Sequence, residues 1–65
     1  MNGWNHLSEN GMATNADPVR GGIIDQNPVY GWFIIFNHEQ LPVVEGLASK
    51  ARAFEVFEKT IAGIE

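Results

Sequence analysis

Apolar and polar positions change rhythm several times along the chain. Residues 1–21 are rich in Asn, Gly and Asp, with apolar side chains after Met1 only at Trp4, Leu7, Met12, Ala13, Ala16 and Val19, and Asp17-Pro18 marks a turn. This segment is expected to be mostly loop. Gly21-Gly22 open a short apolar stretch, Ile23-Ile24, that stops at the turn signal Gln26-Asn27-Pro28, so a strand is expected over about 22–26. From Tyr30 to Phe36 every residue except Gly31 is aromatic or β-branched, which predicts a strand over about 30–36. Asn37-His38-Glu39-Gln40 form a polar loop, and Leu41 to Glu45 resume the apolar pattern as a strand over about 41–45, with Pro42 placing it at a sheet edge.

After Gly46 the period lengthens to that of a helix. Ser49 can accept from the free amides of a first turn, and Ala53, Phe54, Phe57, Ile61 and Ile64 fall on one stripe, with Arg52, Glu55 and Lys59 opposite. Glu55 and Lys59 stand at i,i+4 in the favourable order, and Gly63 suits the C′ position, so the helix is expected over about 49–62. The expected fold is α+β in a single domain, 1–65. A three-stranded antiparallel sheet carries one C-terminal amphipathic helix on one face, residues 1–21 are irregular, and 22–65 form a βββα unit.

The register of the last hairpin bears on function. With Phe36 opposite Leu41, Ile34 meets Val43 and Trp32 meets Glu45 on one face, while Ile35 meets Pro42 and Phe33 meets Val44 on the other. Both faces are then largely apolar, whereas a sheet covered on one side alternates with polar residues. One helix covers one face. Phe33, Ile35, Pro42 and Val44 therefore need cover from Trp4, Leu7 and Met12, from a second copy, or from another protein.

Composition narrows the classes. At 65 residues the chain is near the size at which folding buries only about 60% of the exposable surface, and without cysteine it has no disulfide to add margin. Association is the remaining route to stability. The missing cysteines suit a reducing compartment, and Met1-Asn2-Gly3-Trp4 lacks the basic and apolar blocks of a secretion signal, so the expected location is cytoplasmic. The longest apolar run, Trp32 to Phe36, is far short of the roughly 20 residues that span a bilayer. Membrane partners are not expected. A net charge of −4 repels phosphate backbones and favours docking on basic proteins.

No constellation demands a particular chemistry. His6 and His38 each lack a second ligand at metal spacing, and His38-Glu39 are neighbours whose side chains point apart. The nucleophiles are Ser8, Ser49, Thr14 and Thr60, with no nucleophile elbow, and the glycines do not form a phosphate-binding loop. The acids are spread singly as Glu9, Asp17, Asp25, Glu39, Glu45, Glu55, Glu58 and Glu65. The protein is expected not to be an enzyme and to use no cofactor or metal.

Two resemblances add to this. Gly46-Leu47-Ala48-Ser49-Lys50-Ala51-Arg52-Ala53, after three short strands, resembles the last strand and helix of double-stranded RNA-binding domains, which implies phosphate contacts from Lys50 and Arg52. Against it, there is no first helix, Ala51 stands where that family has lysine, and the chain is acidic. Over Gly31 to Ile61, the run Gly-Trp-Phe-Ile-Ile, a polar turn, Val-Val-Glu-Gly-Leu and Ser-Lys-Ala-Arg-Ala is similar to small ββα proteins of phages and mobile elements. Some proteins of that size and acidity, of the anti-CRISPR and anti-restriction type, occupy a nucleic-acid-binding surface of a host defence complex. The resemblance implies such an inhibitor acting in the host cytoplasm. The expected protein-binding residues are Phe33, Ile35, Pro42 and Val44 with the acids Asp25, Glu39, Glu45, Glu55 and Glu58. The alternatives are a small structural or regulatory subunit that self-associates through the second face, and an RNA-binding module using Lys50 and Arg52.

Overall fold

The computed structural model describes residues 3–7 and 11–64. Five strands, β1 (Trp4–His6), β2 (Ala13–Asn15), β3 (Gly22–Asn27), β4 (Gly31–Phe36) and β5 (Val44–Leu47), precede one helix, α1 (Lys50–Gly63). They form an antiparallel meander in the order β1-β2-β3-β4-β5, each strand pairing with the next in sequence. The α+β class and the C-terminal helix are as the sequence implies.

The sheet has five strands rather than three. Trp4-Asn5-His6 and Ala13-Thr14-Asn15 are three residues each and mostly polar, so neither has an alternation to read. Their strand conformation comes from pairing: β3 templates β2 through Ala13↔Ile24, Thr14↔Ile23 and Asn15↔Gly22, and β2 templates β1. Tertiary context overrides weak local preference here. Asn37 fixes the same region from across the sheet, its Nδ2 donating to the backbone oxygens of Asn15 at 3.0 Å and Asp17 at 2.9 Å.

The β3–β4 hairpin is built on Asn27-Pro28. The Asn27 side chain accepts from the amides of Val29 at 2.8 Å and Tyr30 at 3.2 Å, and proline presets the backbone for the second turn position. Six cross-strand pairs follow, from Asn27↔Gly31 to Gly22↔Phe36.

The β4–β5 register differs from expectation. Ile34 pairs with Val44 and Trp32 with Leu47. The connection runs through residues 37–43, with the Leu41 amide on the His38 oxygen at 3.1 Å, so Leu41 and Pro42 belong to a turn rather than a strand. A slip of one residue turns every side chain over. Val44 therefore packs on the core and Val43 is 52% exposed, the reverse of the expected arrangement. Between the two pairs, Glu45 and Gly46 oppose the single residue Phe33 in a bulge, with Gly46 at φ 75. The extra residue lets Val44 and Leu47, three apart, both face inward, which regular strand alternation forbids. Gly46 is the residue type that takes this backbone without strain.

Ser49 caps α1 as expected, in extended conformation at φ −156, its hydroxyl accepting from the Arg52 amide at 3.1 Å. The C-terminus differs. Gly63 has no positive φ and is the last helical residue, and the Ile64 amide closes the helix on the Ile61 oxygen at 3.2 Å.

The core lies between α1 and one face of the sheet, with Ile24, Trp32, Ile34, Phe36, Ala53 and Phe57 buried. Trp4, Leu41, Val44, Leu47, Phe54, Val56 and Ile61 pack around them, while Ile64, placed on the stripe by periodicity, is 38% exposed. Phe57 stacks on Phe36 at 5.0 Å between centroids and meets Trp4 edge-on at 4.9 Å. Gly22 makes room for that ring, since a Cβ there would stand 3.0 Å from Phe57 Cε2 and 2.4 Å from the Ile35 carbonyl oxygen.

Candidate functional site

Strand alternation sends Trp32, Ile34 and Phe36 of β4 into the core and Phe33 and Ile35 to the other side of the sheet. Pairing extends that outer surface across neighbouring strands. Asn5, Thr14, Ile23 and Ile35 form one row across β1–β4, and Asp25 and Phe33 are direct partners in the next row. Ile23, Asp25 and Phe33 are half-buried and Ile35 is 40% exposed. Glu45, next in chain to the inward Val44, brings a carboxylate to the bulge opposite Phe33.

Trp4, the largest of the expected covering residues, does not lie there. Trp4 is on the helix side, its ring 4.8 Å from Phe54 and 4.9 Å from Phe57, because its pairing with Asn15 puts it on the face of Ala13 and Ile24. Leu7 is 59% exposed, and Met12, just before β2, is half-buried. Among the described residues the one helix is on the opposite face, so no element crosses Ile23, Phe33 and Ile35.

Of the residues expected to bind protein, Phe33, Ile35 and Asp25 meet on this face, with Glu45 at its margin. Val44 belongs to the core, and Pro42 is exposed in the turn before β5. Glu39 lies in the β4–β5 connection, and Glu55 and Glu58 stand exposed on α1, away from the open face. Sequence reasoning left out Ile23, although its alternation with the buried Ile24 marks it as outward once β3 is placed. It also passed over the hairpin tip, where Val29 is 78% and Tyr30 59% exposed. Ser8, Glu9 and Glu65, like Met1 and Asn2, lie outside the described residues.

The other polar groups are tied into the fold. The amides of Arg20 and Val19 donate to the Asp17 carboxylate, each at 2.9 Å, and hold its pKa below the ordinary value. Glu55 pairs with Arg52 at i,i+3 rather than serving as a free acid. His38 Nδ1 accepts from the Gln40 amide at 3.3 Å, and the exposed His6 ring lies 5.5 Å from Phe54, on the helix side. An open depression of about 360 Å³ is lined by Pro18, Val19 and Asn37 to Gln40. The Asn37 amide in its wall is already committed to the backbone of Asn15 and Asp17. Among the described residues no group of three or more His, Asp or Glu could hold a metal ion, and no helix is long and apolar enough to cross a membrane.

Comparison with protein-family models, curated proteins and solved structures finds no match for this chain.

Proposed function

We propose that the protein is a non-enzymatic protein-binding module that docks through the open face of its sheet. The observation that supports this most is the disposition of Ile23, Phe33 and Ile35. They stand together on adjacent central strands, where a one-sided sheet places polar residues, and no element of the described chain covers them. The finer function is inhibition of a host defence complex of a phage or mobile-element type, by occupying a nucleic-acid-binding surface in the cytoplasm. The chain's negative charge and its resemblance to small ββα proteins support that version. Lack of cysteine suits the compartment.

Site-specific photo-crosslinking in the native cell tests the docking surface. A photoreactive phenylalanine analogue at position 35 should give a discrete adduct, absent when the probe sits at position 58 on the helix. The adduct should disappear when Phe33 is replaced by Ser in the position-35 protein, with the melting temperature little changed. The same adducts from positions 35 and 58, or none from position 35, would sink the proposal.

A further inference from the structure

The open face differs in charge from the helix behind it. Lys50, Arg52 and Lys59 are three of the chain's four cations, and all lie on α1, where they outnumber Glu55 and Glu58. Arg20 is the remaining cation, set against every acid outside α1, within a net charge of −4 for the chain. Among the described residues outside α1, Asp17, Asp25, Glu39 and Glu45 outnumber Arg20, so the sheet and its loops carry an excess of acid.

It comes nearest the apolar patch at Phe33. Asp25 is its direct partner on β3, and Glu45 faces it across the bulge on β5, so a carboxylate stands on the strand to either side of the ring. An aromatic ring attracts a cation over its face, and flanking carboxylates strengthen that preference while supplying acceptors for its N–H groups.

We infer that the occupant of the open face is a basic protein surface that presents an arginine or lysine to Phe33 between Asp25 and Glu45; this rests on the protein-binding function proposed above. Charge complementarity selects this partner over the others. A second copy would bring its own Asp25 and Glu45 to the same contact, setting like charges together. Three partly exposed apolar side chains are also far from half a core, which is what obligate homodimers bury. A phosphate backbone would be repelled by the same two carboxylates.

The test is an NMR titration of the uniformly ¹⁵N-labelled full chain with a designed peptide alternating arginine and leucine, and with its citrulline counterpart. The arginine peptide should move the amides of Ile23, Asp25, Phe33, Ile35 and Glu45 and saturate. The citrulline peptide should bind roughly tenfold more weakly, as expected when a charge-assisted contact becomes neutral. A combined Asp25→Asn and Glu45→Gln variant, which keeps a side-chain oxygen for the Gln26 amide at 2.7 Å, should bind both peptides alike and lose most of the salt dependence. Equal binding of the two peptides on this face would overturn the basic partner and leave the docking surface standing. Shifts confined to the helix around Glu55 and Glu58, or no shifts with the arginine peptide, would also overturn it. Sedimentation showing self-association that Phe33→Ser abolishes would assign the face to a second copy instead. Failure of the docking surface itself is read separately, in the position-35 crosslinking.

Discussion

The two faces of β4 are made of the same kind of residue and have different fates. Trp32, Ile34 and Phe36 point toward α1 and are at most 7% exposed, whereas Phe33 and Ile35, on the same six-residue strand, point away, and among the described residues no element packs across them. Composition alone cannot separate them, because every one is aromatic or β-branched. What separates them is which side the helix takes, and that follows from α1 leaving β5 just after the inward Leu47. One face supplies folding energy. The other leaves Ile23, Phe33 and Ile35 with no element of the described chain across them.

The largest expected effect breaks this comparison on its buried side. Phe57 is 3% exposed, stacked on Phe36 and met edge-on by Trp4. Phe57→Ala should cost about 3–5 kcal/mol, comparable to the whole margin a domain of this size has, and the variant should be largely unfolded by circular dichroism at 25 °C. Ile35→Lys on the open face should change stability by less than about 1 kcal/mol in urea unfolding. If Ile35→Lys instead proved as damaging as Phe57→Ala, the open face would be buried in the working protein, and the two faces of β4 would not differ.

Next in size is Trp4→Ala. The ring is partly buried against Phe54 and Phe57, and two edge-to-face contacts at about 0.5–1.5 kcal/mol each, plus lost area, give a cost of about 2–3 kcal/mol. The same measurement decides which side of the sheet Trp4 serves. A ring lying on the open face would leave the helix packing, and so the helical signal at moderate urea, nearly unchanged on its removal.

Gly46→Ala sharpens the comparison at the bulge. A Cβ there meets nothing within 4 Å, so the expected cost of about 1 kcal/mol comes from φ 75 rather than from a clash. Loss of the bulge would also move Val44 or Leu47 out of the core, because only the extra residue lets both face inward. A cost well above about 2 kcal/mol would therefore report a register change, visible as altered amide shifts along β4.

These positions also show how far the sequence could be read. Strands β3 and β4 and helix α1 were legible because each carries its own signal: the Asn27-Pro28 turn, the aromatic and β-branched run to Phe36, and the Ser49 cap before a 3.6-residue stripe. β1 and β2 carry none, since three mostly polar residues become a strand only when a neighbour offers its edge. The face of Val44 was misassigned for a related reason. Leu41 and Pro42 look like strand, and only the turn closed by the His38 oxygen shows that pairing begins later. Phe33, Ile35 and Asp25 nevertheless reach the open face, because their placement depends on β3 and β4 alone.

The smallest effect concerns Asp17, in the loop that Asn37 ties to β4. The Arg20 and Val19 amides bond to its ionised carboxylate, so its pKa in the folded chain lies below the ordinary 3.8. The unfolded state then binds the proton more readily. The stability this adds is complete above about pH 4 and is lost as pH falls through the lower folded value. Asp17→Asn keeps an oxygen for the two amides but cannot titrate, so the fall in melting temperature on acidification below about pH 4 should be shallower than in the parent. The carboxylate is fully exposed, so water screens the interaction and the difference should be small. An identical acid limb in parent and variant would mean that the loop fixes Asp17 no more firmly than the unfolded chain does. The Asn37 side chain and the backbone bonds from the Gly21 amide to the Asp17 oxygen and from the Asn37 amide to the Gly21 oxygen would then hold the β2–β3 connection.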